Sequence, residues 1–451
     1  MLRRKKKSSS SSGLEIELPP IDFKPAIRDK QEQQGVMIAC RGMEQFGPTS
    51  VMVAMALHHR ADQILLDCTA QGVAVRYRVD GGWEAMPPLD RATGDGVVVI
   101  LKRLARLNSA DRRNKQQGKI PLTYKAVDWI IEFNSQGTPT GERVLMRIEP
   151  KKQVLKTLGD LGMREKMQAQ MRDLLNGHDA MFLFSAPPGH GLPSLWRIGL
   201  DAADRFVRDF HSIEDTSVDE PEQINITKHL FDSSKGETPM NVLKSLLLKQ
   251  PDVLVFPDLV NAEVVSLVCE EVLEEHRFAI TRVSASSAVE GLLKLLATYP
   301  GSVKQLVKAA NGVVNQRLLR RLCTKCRQPF QPTPQLLQKL GIPAGRVQAL
   351  YQPFIPPPPE QRVDANGKPI EIEICQQCGG RGYYGRAGIF ELLQINDAIR
   401  QAILKKPEPA YILQVARENG FVTMQEEGVL AVATGMTSLQ ELQRVLNPPK
   451  K

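Results

Sequence analysis

Four of the seven cysteines fall into two matched pairs, Cys323-Thr-Lys-Cys326 and Cys375-Gln-Gln-Cys378, separated by 48 residues. Two residues between thiolates let a pair bend into a knuckle with both sulfurs on one side. Two such knuckles complete a tetrahedral four-sulfur site, and zinc is the metal that this donor set favours. With four protein sulfurs no coordination position is left open, so a zinc here is structural; four unmetallated thiols are the alternative. Redox use is disfavoured, because a dithiol enzyme needs one such pair beside a βαβ unit and not two. Cys40, Cys68 and Cys269 sit among apolar neighbours and read as core thiols.

A second stretch could hold phosphate. The apolar run Asp179 to Phe184 enters Ala186-Pro187-Pro188-Gly189-His190-Gly191-Leu192-Pro193, and a helical segment begins near Ser194. Strand, glycine-rich turn and helix in that order form a phosphate-loop layout. A working loop reads GxxxxGK[ST]: its N–H groups hold phosphate, its lysine neutralises the β and γ oxygens and its hydroxyl binds Mg²⁺. Gly189 and Gly191 are in place, but Ala186 replaces the first glycine, Leu192 the lysine and Pro193 the hydroxyl residue. Leu192 carries no charge, and Pro193 has neither a hydroxyl nor an N–H. A neutral His190 is a poor substitute for the lysine. The degenerate loop Gly189, His190, Gly191, Leu192, Pro193 and Ser194 therefore argues against ATP and Mg²⁺ as cofactors.

The elements that would position these groups follow from periodicity. Val73 to Gly82 alternates Val73, Val75, Tyr77 and Val79 with Arg76 and Arg78 and closes on Asp-Gly, which predicts a strand entering a hairpin. A helix around 97–107 and a strand over 142–148 complete an α+β domain from 35 to 152. From 153 to 313, apolar runs at Val253 to Phe256 and Phe278 to Val283 alternate with helical patterns such as Met240 to Leu248, which predicts a parallel three-layer α/β domain. Residues 314–451 hold the cysteine pairs, the proline run Pro356 to Pro359 and terminal helices. Residues 1–34, polar and serine-rich, are predicted to be a disordered arm.

At 451 residues the chain has room for about three domains, and 42% hydrophobic with 24% charged residues is globular composition. The net charge is +9, but Arg3, Arg4, Lys5, Lys6, Lys7, Lys450 and Lys451 supply seven of those charges. A duplex-binding domain carries its charge on a folded face, so no nucleic-acid partner is expected, although Arg317, Arg320 and Arg321 lie beside the first knuckle. The start MLRRKKKSSSSSG lacks the apolar core of a signal peptide, and no run of about 20 apolar residues follows. These features predict a cytoplasmic protein.

Several segments resemble one family. Cys375 to Leu393, CQQCGGRGYYGRAGIFELL, follows the pattern CxxCxGxGYxGRxGIxExL; Asn315 to Cys326 carries the first knuckle; RYRVDG, TPTGERVLMRI and SIEDTSVDEPEQIN occupy the order expected upstream. In this the chain resembles the type II secretion and type IV pilus assembly ATPases of the GspE/PulE/PilB family, from about residue 60 to the C-terminus. The resemblance implies a RecA-like P-loop NTPase core, a preceding PAS-like α+β domain and a C-terminal zinc-knuckle and helical region. It also implies a ring-forming hexameric motor at the cytoplasmic face of an inner-membrane platform.

The same resemblance exposes departures. Where the family has Gly-Glu-Ile-Arg-Asp, this chain has Pro257-Asp258-Leu259-Val260-Asn261; where it has Thr-Leu-His-Thr-Asn-Asp, this chain has Thr281 to Ser286 with Val283 at the histidine. His276 matches an upstream family histidine or is a surface residue. Asp258, Glu214 and Glu142 remain as catalytic candidates, each with the alternative of a solvated or salt-bridged carboxylate. Arg76, Arg78, Arg112 and Arg113 resemble the family's nucleotide-reaching arginines by region. Three damaged nucleotide motifs beside an intact knuckle predict a homologue impaired in nucleotide binding, in a homo-oligomeric ring or in a mixed ring with an active paralogue. The alternative is an ATP-hydrolysing motor with an altered loop. The family's first N-terminal domain is expected to be missing or reduced to the arm.

Overall fold

Strict alternation of apolar and polar residues decides the first sheet. The structure, a computed structural model, describes residues 18–447 except 28, 153, 154, 219, 260, 344, 359, 360, 363–367 and 369. The chain divides into two units, 1–154 and 155–451.

The first unit runs β1 (Asp22–Phe23), α1 (Lys30–Arg41), α2 (Phe46–His58), β2 (Ala61–Cys68), β3 (Val73–Val79), β4 (Gly82–Leu89), α3 (Arg91–Leu104), β5 (Gln116–Tyr124), β6 (Val127–Thr138) and β7 (Gly141–Pro150). The strands form one antiparallel sheet in the order β1-β5-β6-β7-β2-β3-β4. Val73, Val75, Tyr77 and Val79 all turn inward against Met52, Val53 and Val97 of the helices. Asp80 and Gly81 both take positive φ (49° and 86°), the conformation a two-residue hairpin needs. The predicted arm of 1–34 is corrected at its C-terminal end: Phe23 is buried in a strand on β5, and α1 starts at Lys30, capped by Asp29. Polarity hid both, because α1 buries only Met37 and Cys40. Residues 1–17, including the basic run, and Lys450 and Lys451 lie outside the described residues, as does Pro359 of the proline run.

The second unit runs α4 (Glu165–Leu175), β8 (Ala180–Ser185), α5 (Leu192–Ala202), β9 (Phe210–Asp215), β10 (Ile226–Phe231), α6 (Pro239–Leu247), β11 (Val253–Phe256), α7 (Ala262–Glu274), β12 (Phe278–Val283), α8 (Ala288–Thr298), α9 (Val303–Ala309), β13 (Ala310–Leu322), β14 (Gln328–Phe330), α10 (Pro334–Leu340), β15 (Leu350–Gln352), β16 (Tyr383–Gln394), α11 (Asp397–Lys405), α12 (Pro409–Glu418), α13 (Met424–Ala433) and α14 (Leu439–Leu446). Its main sheet has the order β10-β9-β11-β12-β8-β13-β16, parallel except for β16. Apolar clusters lie on both faces, one built with α6, α7, α8 and α9, the other with α4 and α5. This is the three-layer arrangement of a buried parallel sheet. The boundary expected at 313 falls inside β13, which stays in the sheet because β16 pairs with it from Gly312 to Leu322. The cysteine pairs therefore hang from the end of the central sheet.

Candidate functional site

β8 is fully buried, so the turn that leaves its C-terminal end is presented by the rigid centre of the sheet. Gly189 and Gly191 take φ of 80° and 84°, and a Cβ at Gly191 would lie 2.6 Å from Gln316 Nε2. Only glycine fits there. α5 begins at Leu192 with Pro193 in its first turn and no side-chain cap. Leu192 does not point into solvent as the lysine of a working loop would; it is half-buried and packs on the cluster containing Phe182, Phe184 and Trp196.

His190 is bonded to β13. Its Nδ1 accepts the Leu318 N–H at 3.0 Å, its carbonyl accepts Gln316 Nε2 at 2.7 Å, and its own N–H donates to Pro187 O at 3.1 Å. Burial, reinforced by Arg317, Arg444 and Arg386, lowers its pKa to about 4. The ring is neutral at physiological pH and offers a lone pair to the backbone, so it does not supply the missing cation.

The carboxylate candidates are dispersed. Glu214, at the end of β9, accepts Ser212 Oγ at 2.7 Å and pairs with Lys228 Nζ at 2.9 Å. It lines a cleft with Trp196, Leu200 and Glu220 that has room for about one water (10 Å³). Asp258 follows β11 with its side chain 71% exposed, 3.9 Å from Arg282 Nη2. Arg282 itself is engaged with Glu220 and stacks 5.3 Å over Trp196. Glu142, in the first unit, is buried against the fully buried Lys102, whose Nζ also donates to Asp111 O at 2.6 Å. Asn261 caps α7 by accepting the Val264 N–H at 2.9 Å, and Val283 packs on the apolar cluster under α8. Val260 lies outside the described residues. His276 pairs with Asp179 on the surface at 3.0 Å. Arg78 pairs with Asp62 and Arg112 with Asp95.

The four predicted cysteines do converge. Their Sγ atoms all lie within 4.8 Å of one another, with Cys323 to Cys375 at 3.8 Å and Cys326 to Cys378 at 3.6 Å. Tetrahedral coordination at about 2.3 Å per Zn–S bond requires ~3.8 Å between sulfurs. Gly382 N–H donates to Cys378 Sγ at 3.3 Å, and Cys323 N–H to Gly382 O at 2.9 Å, so the two knuckles brace each other. Gly382 has φ of 73°, and a Cβ there would meet Pro353 at 2.5 Å. Burial, followed by Cys378 and Cys323, pushes the Cys326 thiol above its ordinary value. A divalent cation at the centre would reverse that penalty. The donor set fits a structural zinc.

Sequence reasoning missed three groups. Glu391 of β16 is buried and accepts the N–H of Ala288 at 2.6 Å and of Met424 at 2.9 Å, closing the first turns of α8 and α13 with one carboxylate. Glu441 of α14 is 1% exposed and takes Arg320 and Arg444 together; Arg320 stacks 4.1 Å over Tyr383, whose hydroxyl meets Ser438 at 2.7 Å. Arg282 is the third. Tyr383 and Glu391 both stand in the matched cysteine signature, which was the available signal. Arg317 is likewise committed, donating at 2.8 Å to Ser286 O and to Val445 O. Arg317 and Arg320 are therefore tied into the fold, which leaves Arg321 as the exposed one of the three arginines beside the knuckle.

A parallel sheet with a glycine turn and helix at the C-terminal end of a buried inner strand defines a RecA-like P-loop core. The chain belongs to the Type II/IV secretion system protein family, whose profile matches residues 48–444. It is 26% identical over 386 residues to the type IV pilus assembly ATPase PilB of Thermus thermophilus, covering 85% of this chain and 41% of that protein. It is 27% identical over 398 residues to the type II secretion system protein E of Dickeya dadantii, covering 88% and 74%. The chain thus spans under half the length of the Thermus relative. Two solved structures share the fold: the Yersinia pseudotuberculosis ATPase DotB (TM-score 0.55, 12% identity, 95% of this chain and 98% of that) and the ADP-bound pilus retraction motor PilT (TM-score 0.50, 15%, 88% and 96%). Among the described residues no helix is long and apolar enough to cross a membrane.

Proposed function

We propose that this chain is a secretion or pilus-assembly ATPase homologue impaired in nucleotide binding, which acts as a structural or regulatory component of a type II secretion or type IV pilus system. The observation that carries this reading is the phosphate loop: Leu192, half-buried, packs against an apolar cluster where the lysine should reach the phosphates, and His190, neutral, is bonded to β13. Two lost charge-assisted contacts at about 1.5–3 kcal/mol each lower nucleotide affinity by roughly 10²- to 10⁴-fold. Phosphoryl transfer depends on positioning and charge neutralisation, and the pairing of Glu214 with Lys228 and of Glu142 with Lys102 supports structural roles for those carboxylates.

The cytoplasmic body would join a ring, of its own copies or mixed with an active paralogue, peripheral to an inner-membrane platform protein, with zinc in the four-cysteine centre. Titration of the pure full-length chain with ATP and Mg²⁺, followed by phosphate release, tests the reading. No binding at micromolar ATP is expected. Micromolar binding with turnover would sink it in favour of an active motor with an altered loop, and Asp258 would then be the acid to mutate.

A further inference from the structure

Away from the phosphate loop and the cysteines, at the open edge of the main sheet, two imidazoles face each other. His211 on β9 and His229 on the edge strand β10 place Nδ1 and Nε2 2.9 Å apart, with ring centroids 5.1 Å apart and planes tilted by 36°. The other nitrogen of His211, Nε2, lies 2.7 Å from Asp209 Oδ2. A carboxylate accepts, so Nε2 of His211 carries the proton and its Nδ1 lone pair is aimed at His229. This is the second-shell arrangement of a metal-binding histidine: a carboxylate on one nitrogen fixes the tautomer and makes the other more basic. Asp209 is held in turn, since its N–H donates to Asp252 Oδ2 at 2.7 Å.

We propose that His211 Nδ1 and His229 Nε2 form a two-histidine site for a first-row divalent cation of the zinc, nickel or copper class, with water in the remaining positions. Two imidazole nitrogens on a tetrahedral ion at about 2.0–2.1 Å sit ~3.3 Å apart, so the pair must open by a few tenths of an ångström and each ring must turn to aim its lone pair at the ion and not at the other nitrogen. His229 lies on the outermost strand and is half-buried, which gives the ion a path and leaves its outer face to solvent. On binding, the proton on His229 Nε2 moves to its Nδ1, so the neutral pair takes the cation with no net proton released. The charged groups around the pair are Asp209 and Lys249, and Asp252 lies behind Asp209, accepting its N–H.

The test uses the full chain with its cysteine centre first filled with one equivalent of zinc, then titrated with Ni²⁺, which does not oxidise thiols. One further equivalent is expected, with the imidazole NMR signals of His211 and His229 moving together. His229→Gln, at a half-exposed edge position, should weaken that equivalent by at least tenfold without changing the melting temperature of the metal-free chain. Asp209→Asn should weaken it ~10- to 100-fold. Absence of a second equivalent, or a second equivalent indifferent to His229→Gln, overturns the proposal and leaves a plain hydrogen-bonded histidine pair.

Discussion

The Nδ1 of His190 accepts the backbone N–H of Leu318 at 3.0 Å, so the residue preceding the last glycine of the phosphate loop is bonded to the neighbouring strand. Gln316, two residues earlier on the same strand, closes the other side of the loop through the His190 carbonyl. The loop is held in shape by its own chain.

This bond makes stability depend on pH with a definite sign. His190 has its folded pKa lowered from 6.5 to about 4, so the fold favours the neutral ring. Its contribution is complete above pH 6.5 and is lost as pH falls toward 4, where the unfolded chain binds the extra proton. His190→Gln retains an acceptor but cannot titrate. Urea midpoints of the two proteins should therefore diverge between pH 6.5 and 4, the wild type losing on the order of 1–3 kcal/mol more. Parallel curves would mean that the ring is not neutralised by its surroundings.

Leu192→Lys with Pro193→Thr restores the two side chains that grip phosphate and metal. ATP affinity is expected to rise at least tenfold, at a stability cost of about 1 kcal/mol from the packing that Leu192 loses. Isothermal titration and thermal melting read the two effects separately. Unchanged affinity would place the defect elsewhere in the pocket.

Glu391 serves two helices with two oxygens, and an amide cannot do that: one of its ends donates and would face an N–H. Glu391→Gln should cost about 1–3 kcal/mol. Hydrogen exchange should quicken at the first turns of both α8 and α13, and quickening at only one of them would show that the carboxylate does not bridge.

Arg320 both grips Glu441 and stacks on Tyr383. Arg320→Lys keeps the charge but loses the planar fork and most of the stacking, and should destabilise by about 1–2 kcal/mol. A fluorescence change at Tyr383 should accompany it. An unchanged denaturation curve would assign the pair no energetic role.

Zinc content is expected at one equivalent per chain from the cysteines, with loss of the metal to a chelator lowering the melting temperature. Cys326→Ser should abolish that equivalent. A melting temperature unmoved by the chelator would mean that the metal carries no structural load.

The two features with a strict local code were legible in the sequence. Alternation in Val73 to Val79 and the apolar runs Val253 to Phe256 and Phe278 to Val283 fall on β3, β11 and β12 as expected, because a strand's pattern is written in consecutive residues. The cysteine pairs converge because each knuckle is local and the spacing between them is free. The start of folding near residue 22 was not legible, since a two-residue strand and a polar helix leave almost no periodic signal. Nor was the packing of Leu192 on an apolar cluster or the bonding of His190 to β13: the sequence showed which groups were lost from the loop but not what the replacements do. Glu391, Arg320 and Arg282 take their partners from 33 to 121 residues away, a distance at which no spacing rule operates.

The segment between the two cysteine pairs leaves the sheet at the end of β13 and returns at the start of β16, its ends pinned by paired strands and by four sulfurs. A metal there acts as a cross-link around a loop of about fifty residues, worth ~4 kcal/mol on the same reasoning as a disulfide of that span. Because closure entropy grows only by about 0.6 kcal/mol for each doubling of length, the excursion can be lengthened cheaply. The excursion between the two cysteine pairs is accordingly a place where an inserted tag, reporter or extra module is expected to leave the pairing of β13 with β16 unchanged.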